Sequence, residues 1–168
     1  IKYQNGQRIY GNVCLEVYLP SRGTCLLQHV NLAACDTRNI KEAFAKGMSE
    51  LCDLHGRTGV GGTGEYLSPN EDRQVGLGML GLANLLRRHG VTYEQFGQAL
   101  EAVNGNLPAE TGAALDLAFS LKEGIEGAAY IARHNRMVRA FAIAPTASCS
   151  YKSEDKDGFT ATPEIAPP

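Results

Sequence analysis

The stretch that decides the fold is Asp72–His89, whose sequence is DRQVGLGMLGLANLLRRH. Polar residues at 70–73 precede its apolar positions, which is typical of a helix start. Gly90 follows directly, and glycine commonly ends a helix because it adopts the left-handed conformation at low cost. The sequence therefore predicts a helix over 72–89.

Three glycines of this stretch, at positions 76, 78 and 81, match the dinucleotide-binding pattern G-x-G-x-x-G. In that fingerprint the first glycine follows a strand, and an acidic residue stands further on at the end of a second strand. Here the residues before Gly76 predict a helix start, and the acidic candidate Glu101 falls in a predicted helix. The glycines therefore indicate close helix packing rather than a nucleotide site.

The flanking sequence alternates between extended and helical patterns. Residues 9–19 alternate apolar and polar side chains, which predicts a strand. Its apolar face would carry Val13, Leu15, Val17 and Leu19. An apolar stretch follows over 24–34, helices are expected over 39–54, 93–103 and 108–136, and a short strand is expected over 140–144. This alternation predicts an α/β fold with parallel pairing in one compact domain.

Composition excludes several classes of protein. Sixteen Lys and Arg stand against eighteen Asp and Glu, so the net charge of −2 favours neither a nucleic-acid nor a membrane-surface partner. No apolar run approaches the roughly 20 residues of a membrane span. The chain runs from Ile1 to Pro168 without a signal-peptide pattern, so we expect a cytoplasmic piece of a longer protein.

The cysteines indicate a reduced protein. Their odd number and wide spacing argue against a disulfide scaffold, and the absence of a C-x-x-C pair argues against structural zinc. Cys35 and Cys52 are expected to be small buried side chains. The others, at positions 14, 25 and 149, stand in motifs that could carry chemistry.

Asn12, Cys14 and Glu16 would share one face of the predicted strand. The amide can orient a hydroxyl group, the carboxylate can take a proton, and the thiol can act as a nucleophile or hydrogen-atom donor. The alternative is a polar strand edge that faces solvent. Cys25 follows after a turn, and it either approaches Cys14 or is a buried structural thiol.

The segment 144–150, APTASCS, runs from the last predicted strand into a turn rich in small and hydroxyl residues. If a helix begins there, its free N–H groups and the hydroxyls suit a phosphate. An ordinary Ser or Thr helix cap is the alternative.

Four blocks in this order resemble the catalytic subunit of ribonucleotide reductase. They are NVCLE at 12–16 (the N-x-C-x-E finger loop), CLLQHVNLA at 25–33 (beginning at a redox-active cysteine), RQVGLGMLGLA at 73–83 (an R-x-x-G-[LI]-G-x-x-G-[LF]-A helix), and APTAS at 144–148 with TPEIAPP at 162–168 (the phosphate loop and the segment after it). The resemblance covers about positions 11 to 168.

The resemblance implies a fold and a set of roles. The fold is part of a ten-stranded α/β barrel, with 1–168 as a helix-rich, central to C-terminal portion that lacks the N-terminal effector region and the C-terminal tail. Cys14 would become a thiyl radical that abstracts the 3′ hydrogen of the ribose, Glu16 would take the 3′-hydroxyl proton, and Asn12 would hold the hydroxyls. Cys25 would be half of the reducing dithiol, whose second cysteine the family carries upstream. The implied phosphate-binding residues are Pro145, Thr146, Ala147, Ser148 and Cys149.

The resemblance also implies partners and cofactors. The substrate would be a ribonucleoside di- or triphosphate, and thioredoxin or glutaredoxin would renew the dithiol. No metal or cofactor would bind to this chain directly. The N-V-C-L-E context favours a radical from a dinuclear-metal small subunit, with adenosylcobalamin as the alternative. The remaining parts of the catalytic (alpha) chain would be needed for activity, and no nucleic acid or membrane would take part.

Two other functions compete with this interpretation. The chain could be a non-catalytic helical module whose Cys14 and Cys25 are core thiols. It could also be a cysteine-nucleophile hydrolase, for which His29 is the candidate base near Cys14.

Overall fold

The computed structural model describes residues 2–4, 6–58, 64–106 and 111–164. Strands β1 (Lys2–Gln4), β2 (Gln7–Gly11) and β3 (Tyr18–Pro20) form an antiparallel sheet in that order, and β4 (Leu27–Asn31), β5 (Gln74–Leu80) and β6 (Arg139–Phe141) form a parallel sheet in that order. The helices are α1 (Ile40–Gly56), α2 (Leu82–Arg88), α3 (Tyr93–Val103), α4 (Ala113–His134) and α5 (Ala147–Tyr151). The mixed α/β class with parallel pairing is confirmed.

The predicted helix over 72–89 is wrong in its first half. Residues Gln74–Leu80 form β5, the central strand of the parallel sheet, and only Leu82–Arg88 is helical. Gly81 has φ +75° and turns the chain from the strand into α2, a conformation that glycine adopts without steric cost. Apolar residues fill both faces of the strand because both faces are buried, so no helical period distinguishes it.

The glycines of this stretch pack against strands and not against a helix. A Cβ at Gly76 would lie 2.5 Å from Leu27 Cδ2 and 2.8 Å from Ala142 Cβ, and one at Gly78 would lie 2.5 Å from the Ala142 carbonyl oxygen. Because Gly76 and Gly78 have no side chains, Leu27 and Ala142 can approach strand β5 closely. The first two glycines lie inside the strand rather than after it, which is not the geometry of a dinucleotide fingerprint.

Helix α1 covers one face of the parallel sheet, and helix α4 packs against α1. Gly47 in α1 brings that helix against Leu77 of β5, since a Cβ there would lie 3.2 Å from Leu77 Cδ1. Gly124 in α4 allows the close approach to Phe44 of α1, because a Cβ there would lie 3.0 Å from that ring. The predicted helix over 39–54 is confirmed, and the core also includes Ile40, Met48, Leu51, Leu117, Leu121 and the predicted buried thiols Cys35 and Cys52.

The other helix predictions are largely confirmed. Helix α3 spans the predicted 93–103, and Thr92 and Gln95 form a reciprocal capping box at its start. Helix α4 begins at Ala113 and ends at His134, while Pro108, its predicted start, lies outside the described residues. The predicted strand over 140–144 is present as the shorter β6.

The predicted strand over 9–19 is wrong in its middle, because the chain turns back there. Residues 12–17 form a hairpin loop between β2 and β3. Of the expected apolar face only Val17 is buried; Val13 is fully exposed and Leu15 is 74% exposed. Leu15 has φ +63°, a left-handed conformation that the tight loop imposes.

Hydrogen bonds hold the segment 153–164 against α2 and the end of β5. The Asn84 side chain donates to the Asp155 carboxylate (3.0 Å) and to the Thr160 carbonyl (3.1 Å), and its oxygen accepts from the Thr162 N–H (2.9 Å). The Gly81 N–H donates to the Thr162 carbonyl (2.7 Å). These bonds fix the course of the chain up to Glu164.

Membrane insertion gains no support from the helices. Within the described ranges, no helix combines the length and the apolar character that crossing a bilayer requires.

We expect Gly78→Ala to lower the free energy of unfolding by about 1–3 kcal/mol, the usual cost of overpacking, because its methyl group would meet the Ala142 carbonyl. Gly97→Ala is the control: nothing lies within 4 Å of a Cβ there, and it should stabilise α3 by about 0.5–1 kcal/mol. Urea unfolding monitored by circular dichroism measures both. Equal stability of Gly78→Ala and the wild type would show that β6 can move away without cost.

Candidate functional site

The hairpin loop 12–17 is closed by Asn12. The Asn12 side-chain oxygen accepts from the Val17 N–H at 3.2 Å, and the Asn12 N–H donates to the Val17 carbonyl at 3.0 Å. The Leu15 N–H donates to the Asn12 carbonyl at 3.0 Å. Asn12, Cys14 and Glu16 are therefore arranged by a tight turn and not by the predicted strand alternation.

Asn12 also links the hairpin loop to Cys25. Its Nδ2 donates to Cys25 Sγ at 3.5 Å, so the two segments that sequence analysis singled out meet in space. The position of Cys25 is secured by its neighbour, since the Thr24 N–H donates to the buried Asp72 carboxylate at 2.6 Å. Cys14 and Cys25 are both exposed and reduced, which differs from the buried structural thiols that were the alternative.

The environment of Cys25 favours its protonated form. Burial raises the pKa of the Cys25 thiol, and the negative charges of Glu16 and Cys14 act in the same direction. The hydrogen bond from Asn12 opposes them and lowers the pKa. Cys25 is therefore a thiol and not a thiolate at neutral pH. Cys25 is therefore bonded to Asn12 and lies within electrostatic reach of Glu16 and Cys14.

His29 lies on the same side of β4 as this cluster. It pairs in register with Gly78, and its side chain is only 10% exposed. Burial lowers the pKa of His29, and the charge of Glu16 raises it in part. His29 Nε2 and Glu16 Oε2 are both buried without a hydrogen-bond partner in the described chain.

Glu164 stands beside His29 and bridges two strands of the sheet. Its carboxylate accepts from the Met79 N–H at 2.9 Å and from the Ala144 N–H at 2.8 Å, and one of its oxygens lies 3.9 Å from His29 Nε2. The side chain is 4% exposed, and burial raises the pKa of the Glu164 carboxyl, against the effect of the two N–H groups. The carboxylate lies over Gly78, where a Cβ would come within 2.7 Å of it.

The predicted phosphate segment begins helix α5, as the sequence suggested. Helix α5 starts at Ala147, so the N–H groups of its first turn have no carbonyl partner within the helix. Thr146 precedes it with φ +54°, a strained conformation for a β-branched residue. Its hydroxyl accepts from the Glu164 N–H at 2.7 Å, while Pro145, Ala147, Ser148 and Cys149 are exposed.

Glu164 connects the start of α5 to His29, through its N–H on the Thr146 hydroxyl and a carboxylate oxygen 3.9 Å from His29 Nε2. The charge of Glu16 acts on the pKa of both His29 and Cys25. Sequence reasoning missed Glu164 as a site residue and considered His29 only as a hydrolase base. The available signal was the alternation from Cys25 to His29, which places both on one side of an extended segment.

The clustered side chains differ from a metal centre. In the part of the chain that the structure describes, no three His, Cys, Asp or Glu residues are grouped so as to hold a metal ion.

No protein-family model matches the sequence, and no curated protein matches it.

Two substitutions should move the pKa of Cys25 in opposite directions. Glu16→Gln removes a negative charge and should lower it, whereas Asn12→Ala removes the hydrogen bond to sulfur and should raise it. The pH dependence of iodoacetamide alkylation at Cys25, followed by peptide mass spectrometry, reports the midpoint. Glu94→Gln, at the start of α3, is the control and should leave it unchanged. Shifts of the same sign in both variants would contradict the assigned contacts.

Proposed function

We propose that this chain reduces ribonucleotides to deoxyribonucleotides by a thiyl-radical mechanism, as part of a cytoplasmic ribonucleotide reductase catalytic subunit. The observation that carries the proposal is the meeting of the hairpin loop with Cys25 through the Asn12 side chain. That contact joins two of the four blocks on which the family resemblance rests. The four residues it assembles, Asn12, Cys14, Glu16 and Cys25, are those to which the resemblance assigns the chemistry.

The roles of these residues follow from their chemistry. A Cys14 thiyl radical takes the 3′ hydrogen atom and becomes a thiol, which leaves a radical on C3′. Glu16 accepts the 3′-hydroxyl proton while the 2′-hydroxyl leaves as water with a proton from the dithiol. Cys25 and a second cysteine then give a hydrogen atom to C2′ and an electron to the 3′-keto group, and so become a disulfide. The 3′ oxygen takes back the proton from Glu16, which restores the C3′ radical. Cys14 returns its hydrogen atom to C3′, so the net reaction converts a ribonucleotide and a dithiol into a deoxyribonucleotide, a disulfide and water.

The protonation state of Cys25 supports this role over nucleophilic attack. A reducing thiol that gives up its proton during the reaction must hold that proton beforehand, and the raised pKa of Cys25 keeps it there. A nucleophilic cysteine needs the opposite shift, towards the thiolate. The contacts of His29 also run to Glu164 and Glu16, which gives the hydrolase alternative no supporting observation.

The exposure of Cys14 and Cys25 bears on the non-catalytic alternative. That interpretation treats both residues as core thiols, whereas both are exposed and the core is formed by other side chains. A cysteine on a solvent-accessible surface is an uncommon choice without a function.

The proposed phosphate site is the segment Pro145–Cys149. The exposed first-turn N–H groups of α5 can donate to phosphate oxygens, and Ser148 can add its hydroxyl. The Thr146 hydroxyl is engaged with the Glu164 N–H, so Thr146 would contribute its backbone. The strained φ of Thr146 is typical of a functional turn.

We infer further that the parallel sheet belongs to a ten-stranded α/β barrel. Helix α1 covers one face of the sheet, as helices cover the outside of a barrel. His29 and Gly78 are register partners on the neighbouring strands β4 and β5, and the Glu164 carboxylate lies beside both. Among the described strands, β4 and β6 each have one unpaired edge, at which further strands could pair.

The initiating radical has to come from another body, and we propose a dinuclear-metal small subunit, with adenosylcobalamin as the alternative. Cys14 suits either source because it lies at an exposed loop tip between Val13 and Leu15, whose apolar side chains are exposed for contact. Thioredoxin or glutaredoxin would reduce the disulfide after each turnover.

Cys14→Ser should abolish ribonucleotide reduction, because a serine hydroxyl cannot replace the thiyl radical. The assay uses the polypeptide that carries this sequence together with the remaining parts of the catalytic subunit. Cytidine di- and triphosphate are the substrates and dithiothreitol is the reductant. Formation of deoxycytidine nucleotides is measured by liquid chromatography.

The radical source is varied in separate arms of this assay. One arm adds adenosylcobalamin and the other adds a dinuclear-metal small subunit, and activity in one arm assigns the class. Cys52→Ala is the control, because Cys52 is buried in α1 away from the cluster and should retain activity. No product in either arm would overturn the proposal and favour the non-catalytic module.

A further inference from the structure

Two buried polar atoms, one on Glu16 and one on His29, have no hydrogen-bond partner among the described residues. Glu16 Oε2 is an acceptor and His29 Nε2 can donate a hydrogen bond, yet neither bonds to another group of the described chain. An unpaired buried polar atom costs roughly 1–3 kcal/mol, so proteins seldom keep two together without use. The two side chains are close enough for the Glu16 charge to raise the pKa of His29.

The neighbours of His29 leave its Nε2 without a hydrogen bond. Glu164 is 3.9 Å away, beyond hydrogen-bond distance, and its carboxylate is engaged by the Met79 and Ala144 N–H groups. Burial lowers the pKa of His29, so the imidazole is neutral at pH 7 and carries one N–H donor. Gly78, the register partner of His29, is itself covered by the Glu164 carboxylate.

We propose that His29 binds the ribose 3′-hydroxyl of the substrate together with Glu16. The His29 Nε2–H donates to the hydroxyl oxygen, and the hydroxyl donates its proton to Glu16 Oε2, so one group satisfies both buried atoms. When Glu16 takes that proton, the same imidazole N–H stabilises the negative charge left on the oxygen. His29 itself keeps its protonation state. This inference rests on the proposed function, and it adds a substrate-binding residue to the site.

The geometry favours a hydroxyl over other ligand groups. Only a group that both donates and accepts can serve an ionised carboxylate and a neutral N–H together. A carboxylate or phosphate would meet the negative charge of Glu16, and an ammonium group would compete with the His29 donor. A permanently bound water could serve both atoms as well, and that alternative predicts no dependence on a ligand hydroxyl.

Binding measurements with matched ligands test the inference. The polypeptide used for the reductase assay is titrated by calorimetry with cytidine di- and triphosphate and with their 3′-deoxy counterparts. The wild type should bind the ribonucleotides more tightly than the 3′-deoxy forms. His29→Phe keeps a planar ring without the donor and should reduce that preference about tenfold, the value of one buried hydrogen bond.

Two further variants guard against a folding defect. His29→Gln keeps an N–H donor and should recover part of the preference, and His134→Phe makes the same change at an exposed residue of α4 and should leave it intact. An unchanged preference in His29→Phe would overturn the inference, and so would a wild type that binds both ligand forms equally.

The reductase assay separates the two proposals. Hydroxyl preference without reduction would sustain His29 as a ligand-binding residue and overturn the thiyl-radical function. Reduction with an unchanged hydroxyl preference in His29→Phe would sustain the thiyl-radical function and overturn the role of His29. If no cytidine nucleotide binds, both proposals fall.

Discussion

The arrangement of the site depends on one buried carboxylate, that of Glu164. The pairing of β5 with β6 ends at Leu77 and Phe141, and backbone N–H groups beyond it need other acceptors because buried donors are costly to leave unpaired. Glu164 supplies an acceptor to Met79 and another to Ala144. One side chain therefore joins the two strands where their own pairing stops.

The position of Glu164 is set from both sides. Asn84 and Gly81 hold the preceding segment through Thr162, and the Glu164 N–H holds the Thr146 turn at the start of α5. Gly78 is the necessary counterpart, since any side chain there would occupy the space of the carboxylate. A single residue therefore couples the proposed phosphate segment to strand β5 and to His29 of strand β4.

At the other end of the site, Asn12 is the residue that joins two segments. Its side chain closes the hairpin loop through Val17 and donates to Cys25, so the loop conformation and the approach of the two thiols arise together. Burial, together with the charge of Glu16, raises the pKa of Cys25 and favours its thiol form, while burial lowers the pKa of His29 and favours its neutral form.

The sequence by itself determined the elements whose signals are local. The α/β class, the extents of α1 and α3, and the burial of Cys35 and Cys52 follow from periodicity, capping residues and composition. Tertiary structure alone decided that Gln74–Leu80 is a strand. A segment buried on both faces is apolar along its length, so it lacks the alternation of polar and apolar residues that distinguishes a strand from a helix. It also decided that the loop at 12–17 meets Cys25 and that Glu164 lies beside His29. These placements follow from the bonds of Asn12 to Cys25 and of Met79 to Glu164, which join separate segments of the chain and which no local pattern contains.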